Sequence, residues 1–462
     1  MYKFLATLLF IFSLSHISDA QSWEKTFQHA TGLAKGFDVI QTADHGYVVV
    51  GEVDLPTGAI RHYIWLLKTD NDGNLLWSKI YNEPDVVDQK GRTVTEAANG
   101  DLFVVGAANN KAIVLKTDAQ GEPLWTKEYG GNGVNVFHDA SQDMEENLIL
   151  VGEREEVQGS NQHEVWAMLI NTEGDSLWSK TYFEPSFYGT AATVISPLPD
   201  NNYLLVGHRN NQGFSLKISG ADGTPIWSNL YQFSVGDQIF AATPTQEGTK
   251  LIFGGNNTGF AGFSPTLFET NLVGESAVSI NYTPTPFGTI TALQPTSNNG
   301  ILMTGSSYDF WSIMGSNRTG FAAKLNHDFT LAWSLTFPDS LDKQGAAIIE
   351  DTDGSTIIVG SRNGGIWLKK IGATTNTASI QQEDIQLYPN PAQRNIHISL
   401  PSDLADSELD VIFYDAKGVL VFRQKLITPK NQIHLPDLAA GVYNYTIGNE
   451  SKRWKLGKLV LH

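Results

Sequence analysis

Leu67-Lys68-Thr69-Asp70-Asn71-Asp72-Gly73-Asn74-Leu75-Leu76-Trp77-Ser78-Lys79-Ile80-Tyr81 is an apolar run, a polar turn and a second apolar run that closes on Trp-x-Lys. The pattern returns as Leu115-Lys116-Thr117-Asp118, Gly121 and Leu124-Trp125-Thr126-Lys127, 48 residues further on. Asn171, Gly174 and Leu177-Trp178-Ser179-Lys180 repeat it, as do Leu216-Lys217, Gly223 and Ile226-Trp227-Ser228. Self-similarity at a period of about 50 residues is read as a repeat architecture before any other assignment is made.

A second signal lies upstream of each Trp, a short apolar run closing on Gly. It ends at Gly51, Gly106, Gly152, Gly207, Gly254, Gly305 and Gly360, so there are seven units. Each run follows a turn such as Asp44-His45-Gly46 and an earlier apolar stretch such as Phe37-Asp38-Val39-Ile40. A unit therefore reads as four strands: a (the early stretch), b (ending in Gly), c (ending in Leu-Lys-Thr-Asp) and d (carrying Trp). Short β-branched runs between Gly, Asn and Asp turns indicate an all-β chain. Four such strands in about 40–50 residues, repeated, make the blade of a β-propeller.

Strand d is marked by Trp77, Trp125, Trp178, Trp227 and Trp333, with Val278 in the matching slot of another unit. The last unit has no strand d before residue 375, whereas Trp23-Glu24-Lys25-Thr26-Phe27 stands near the start. The expectation is a seven-bladed β-propeller whose N-terminal strand completes the last blade and removes a free edge. The repeated Trp is read as packing against the next blade with its N–H on a carbonyl. The Asp and Gly of the c–d connection are read as turn residues. Asp70-Asn71-Asp72-Gly73 lacks the Glu that closes a calcium loop, so no metal and no cofactor is expected.

The chain has 462 residues, a formal charge of −18 and no Cys. The acidic balance argues against nucleic acid as partner, because phosphate binding rests on clustered Lys and Arg. Residues 1–20 read as a signal peptide: Lys3, an apolar stretch over 4–14, then the small-x-small Ser18-Asp19-Ala20. No later stretch is long and apolar enough for a transmembrane helix. Residues 21–372 are assigned to the propeller, 373–383 to a polar linker, and 384–462 to a second domain, where alternating runs such as Ile396-His397-Ile398-Ser399-Leu400 indicate a small Ig-like β-sandwich.

This tail resembles the type A C-terminal sorting domain of cargo for the type IX secretion system of Bacteroidetes. The resemblance is carried by Tyr388-Pro389-Asn390-Pro391, by Gly418 closing Tyr414-Asp415-Ala416-Lys417-Gly418, by Gly441 and Tyr443 in Leu438-Ala439-Ala440-Gly441-Val442-Tyr443, and by the basic close at Lys455 and Lys458. It implies the secretion machinery as partner, passage through the outer membrane, and a secreted or peripherally surface-attached product. The repeats resemble those of secreted bacteroidetal propeller proteins, a resemblance that implies no particular activity.

Catalytic signatures are missing from the sequence: there is no His-Glu-x-x-His, Gly-x-Ser-x-Gly or P-loop. Acidic pairs such as Glu145-Glu146 and Glu155-Glu156 are expected to be solvated in turns. Three b–c connections read as longer than the rest, 52–63, 153–165 and 306–320. The third holds Tyr308, Phe310, Trp311 and Arg318, the candidate ligand-binding residues. The reading is a non-enzymatic binding or adhesion module for glycan or protein. The alternative is a propeller enzyme, either a hydrolase or lyase on polysaccharide or a quinone-dependent dehydrogenase. Charged side chains converging on the channel would favour the enzyme.

Overall fold

In a computed structural model the chain divides into two compact units, residues 1–373 and 374–462. The structure describes residues 22–372 except 57–59, 82–87, 187–189, 199, 210–211, 232–237, 247–249, 260–261, 272–277, 281–287, 309–317 and 338–343, and residues 386–461 except 401–408, 415–419, 427–429 and 449–452. The signal-peptide and linker readings lie outside these residues, as do Phe310, Trp311 and Gly418.

The described residues of the first unit form seven four-stranded antiparallel sheets, each in the order a-b-c-d. The first runs Leu33–Gln41, Tyr47–Pro56, Ile60–Thr69 and Leu75–Tyr81. Five more follow in chain order. The last is made of Gln344–Glu350, Thr356–Arg362, Gly365–Ile371 and, as its fourth strand, Trp23–Phe27 from the start of the chain. Trp23 pairs with Lys370 in the register in which Trp77 pairs with Lys68. Val278 pairs with Glu269 in that same slot, so it replaces the Trp as the sequence indicates.

The apolar side chains are divided among seven cores, each between two consecutive sheets. Val48, Val50, Ile64 and Leu66 of the first sheet pack with Val94, Val104 and Ile113 of the second. The series ends where Ala34 and Val39 of the first sheet pack with Ile357, Val359 and Ile366 of the last. Each sheet is thus covered on both faces by its neighbours, which is why strand b reads as a continuous apolar run rather than an alternating one. With about 1.5–3 kcal/mol per buried aliphatic side chain, no sheet is stable without its neighbours.

Every sheet carries a bulge in strand a, where the pairing skips one residue. The recurrent Gly of strand b lies opposite it, and the strand continues past that Gly rather than ending there. A Cβ at Gly51, Gly106, Gly152, Gly207 or Gly305 would sit 1.8–2.2 Å from a strand-a carbonyl oxygen, a distance no side chain tolerates. At these five positions the Gly signal in the sequence is the imprint of this bulge, whereas a Cβ at Gly254 would meet Ile290 of the next sheet, at 2.8 Å.

In the second unit, strands Gln386–Tyr388, Asn395–Ser399 and Lys430–His434 form one sheet, and Leu409–Tyr414, Leu420–Leu426, Gly441–Gly448 and Arg453–Leu461 form another. Both contribute to one core, with Ile396, Ile398 and Ile433 from the first and Val411, Phe413, Tyr445 and Leu459 from the second.

Candidate functional site

The bulges decide what faces the middle of the first unit. The extra residue of each strand a is Phe37, Arg92, His138, Thr193, Phe240, Thr291 and Ala346 in turn, and all seven line a single cavity of about 290 Å³. This is the channel. The described lining is aromatic and charged on the side of Phe37, Arg92 and His138 and small or apolar toward Ala346. The Arg92 guanidinium lies 5.4 Å from the centre of the Phe37 ring. Its buried Nε, like the buried Thr193 Oγ1, has no hydrogen-bond partner among the described residues.

Beside two of these positions stand carboxylates. Asp38 Oδ2 accepts from Thr93 Oγ1 at 2.5 Å and from the Val94 N–H at 3.1 Å, both on the next sheet. Asp139 Oδ2 accepts from the Ile195 N–H, also one sheet on, at 2.9 Å. Each carboxylate therefore ties neighbouring inner strands together while staying open to the channel. Depth in the wall pushes both upward, Asp139 to about 7 and Asp38 in the same direction, against hydrogen bonds that favour the ion.

A second titratable group adjoins His138. Glu153 Oε1 lies 3.6 Å from His138 Nε2, and Glu153 Oε2 lies 3.2 Å from His163 Nδ1. Burial alone raises the Glu153 carboxyl, but its bonds with the two imidazoles win and hold it well below the usual carboxylate range. The Glu153 carboxylate beside it raises His163, while burial lowers His208 nearby. Glu153 thus stays ionised between His138 and His163.

The positions predicted to hold ligand fare differently. Tyr308 ends strand b and Arg318 begins strand c of the sixth sheet, directly opposite one another. The long connection at 52–63 is for the most part paired strand, with b running to Pro56 and c resuming at Ile60, whereas in 153–165 strand b ends at Glu155 and c resumes at His163, leaving 156–162 as a loop. The solvated-turn expectation fails for Glu155. It is buried and accepts from the Val134 N–H at 2.9 Å and the Asn161 N–H at 2.8 Å, so it closes its own hairpin. Glu145, Glu146 and Glu156 are exposed as expected.

Asp38, Arg92, His138 and Asp139 escaped the sequence reading because they are spread over three units, and only His138 and Asp139 are neighbours in the chain. A signal was present. Phe37, Arg92, His138, Thr193, Phe240, Thr291 and Ala346 each stand fourteen positions before the recurrent Gly of strand b.

In the second unit, Tyr388 stacks on His397 with centroids 5.5 Å apart. Asn390 Oδ1 accepts from the Val460 N–H at 2.9 Å, and Tyr443 Oη donates to the Ala439 carbonyl at 2.8 Å. Gly441 opens the strand that carries Tyr443, and Lys455 and Lys458 lie on the final strand.

Four-stranded sheets packed in cyclic succession about a channel define the β-propeller class. Residues 386–462 match the family described as "Secretion system C-terminal sorting domain", which bears out the reading of the tail and marks this propeller protein for export. The chain is similar to a virginiamycin B lyase of Staphylococcus aureus solved with quinupristin (12% identity, 76% of this chain and 100% of that chain, TM-score 0.49). It is similar to the β-propeller domain of the Trilobed protease of Pyrococcus furiosus (10%, 76% and 98%, TM-score 0.41) and to a structure described as a putative gluconolactonase (10%, 76% and 94%, TM-score 0.36). These TM-scores lie below 0.5, so the class rests on the sheets and their cores. Comparison with curated proteins gives no match.

Proposed function

We propose that the chain is an exported seven-bladed propeller, delivered by a C-terminal Ig-like sorting sandwich, that captures a glycan or protein ligand at the mouth of its channel. Residues 1–20 serve as signal peptide, 21–372 as propeller, 373–383 as linker and 384–462 as the sorting domain. The observation that carries the binding reading is the seven-fold bulge. One backbone device aims seven side chains of five kinds into one cavity, among them two Phe rings and an Arg whose Nε has no partner among the described residues. Ring faces with a few convergent polar groups suit a sugar or an extended peptide segment.

The test is a glycan array and a pull-down with the mature chain. Arg92→Ala is expected to weaken capture at least about tenfold, the scale of one charged hydrogen bond, without a change in fold. Capture unaffected by Arg92→Ala and by Phe37→Ala would remove the channel from consideration and return attention to Tyr308 and Arg318. A chain lacking 384–462 is expected to remain in the periplasm; its normal delivery to the surface would overturn the export reading.

The enzyme reading has its own support in the convergence of Asp38, Arg92, His138 and Asp139 on the channel, with Glu153 between His138 and His163 beside it. Turnover of a bound polysaccharide, lost in Glu153→Gln while binding persists, would favour it over simple capture.

A further inference from the structure

We propose that Glu52, Asp54 and His62 of the first sheet form a binding site for a divalent transition-metal ion. Glu52 and Asp54 are two apart on strand b and so project from one face, and His62 sits directly across from Asp54 on strand c. One ligand atom from each lies within 4.8 Å of the other two. His62 Nδ1 and Asp54 Oδ1 are already 2.6 Å apart. Two carboxylate oxygens and an imidazole nitrogen, with further positions open, form a donor set for Zn²⁺ or Mn²⁺ rather than for the all-oxygen shell of Ca²⁺.

A second observation is independent of this clustering. Glu52 is 4% exposed, and its Oε2 has no hydrogen-bond partner among the described residues. A buried carboxylate oxygen left without a donor costs about 1–3 kcal/mol, which a bound cation would relieve. Lys35 reaches only Glu52 Oε1, at 3.2 Å, and its side chain is 55% exposed, so it can withdraw when a cation enters. Asp54 and His62 are 21% and 32% exposed and leave a path for the ion.

The site is separate from the channel residues proposed for ligand capture, so either proposal can fail alone. The sequence hid it, because 52–63 read as a loop, in which Glu52, Asp54 and His62 have no common face.

The test is equilibrium binding of Zn²⁺ to the EDTA-treated mature chain, followed by calorimetry, with Mn²⁺ bound and read by electron paramagnetic resonance as a second probe. One ion per chain is expected, together with a rise in Tm. His62→Ala and Glu52→Gln are each expected to weaken binding at least tenfold, since even outer-shell changes cost about 10–100-fold. His163→Ala is expected to leave it unchanged. Near-UV circular dichroism establishes that each variant is folded; if Glu52→Gln is not, His62→Ala and Asp54→Asn decide. No stoichiometric binding of either metal, or binding of equal strength in His62→Ala, overturns the proposal.

Discussion

The outermost and innermost strands of the propeller sheets obey opposite rules. On strand d the same residues recur and make the same contacts. Trp23, Trp77, Trp125 and Trp178 each lay their ring on the turn glycine of the next sheet, Gly73, Gly121, Gly174 and Gly223 in order. Those glycines have φ of +72° to +78°, and a Cβ there would stand 2.7–2.9 Å from the indole or a neighbouring Lys. Four residues beyond the Trp, Tyr81, Tyr129 and Tyr182 donate from Oη to the carbonyls of those glycines at 2.7–2.8 Å. On strand a the backbone bulge recurs, but its side chain differs in nearly every sheet. The difference teaches where to look for function. Strand d solves one packing problem at four of the seven junctions in the same way, whereas the seven bulges share one cavity and need not be alike.

The indole N–H refines this picture. It reaches the Asn71 carbonyl from Trp23 and the Gly220 carbonyl from Trp178, both at 3.1 Å, while Trp125 Nε1 is buried without a partner among the described residues. Ring burial on glycine is thus the common element, and the hydrogen bond is an addition. The Lys of the Leu-Lys-Thr-Asp motif belongs to the same repeated scaffold: Lys68 pairs with Asp44 at 2.6 Å and Lys116 with Asp101 at 3.1 Å, each bracing the a–b turn of its own sheet. Lys370 binds Asp351 and Asp353 in the last sheet and also Tyr47 Oη and Asn71 Oδ1 in the first, so it straddles the closure.

The comparison is broken most severely at that closure. Removing residues 22–27 takes the fourth strand from the last sheet together with Trp23 and Phe27, which pack on its core. The expected loss is roughly 3–6 kcal/mol, about 1.5–3 for each large apolar side chain, read as a fall in the urea midpoint. An unchanged midpoint would show that the closing strand is dispensable. Next in size, Gly121→Ala forces a Cβ into positive φ and against Trp77. It should cost about 1–3 kcal/mol. Combined with Trp77→Ala it should cost clearly less than the sum, because both changes undo one contact. Additive losses would sever the outer-strand rule.

The smallest effect is expected at the inner strand, from Asp139→Asn. The folded protein holds the Asp139 proton up to about 7, whereas the unfolded chain releases it near the ordinary carboxylate value. Between these limits the folded state binds more protons, so this group makes stability fall as pH rises from about 4 to 7. Asp139→Asn should be close to neutral at pH 4 and stabilising at pH 8 by roughly 1–2 kcal/mol, reduced from the full shift because the carboxylate borders the water of the channel. Denaturation curves at the two pH values check the sign; a variant destabilised equally at both would mean that the bond with the Ile195 N–H dominates.

Much of the fold was legible because its signals are local and repeated. Trp77 with Gly73, the seven strand-b glycines, and Trp23 standing alone at the start give strand count, register slot and closure from residues close in the chain. Asp70 behaved as a turn residue, its Oδ1 accepting from the N–H groups of Asp72 and Asn74 at 3.0 and 2.8 Å. The tail was legible for a related reason: its motif residues serve one compact unit, as Asn390 and Tyr443 show by anchoring its own strands.

The channel was not legible in this way. Arg92, His138 and Asp139 come from the second and third sheets, Asp38 from the first and Phe240 from the fifth, and nothing local in their sequences joins them. Their meeting depends on a bulge, which turns an ordinary strand residue toward the centre, and on cyclic packing, which makes seven such centres one cavity. The sequence by itself determined that this protein is a chain of repeated four-stranded β units with an export tail, because hydrogen-bonded turns and strand patterns are written in neighbouring residues. Only the tertiary structure decided which side chains share the channel and that Glu52, Asp54 and His62 share a face, because proximity across strands and sheets is set by register and packing.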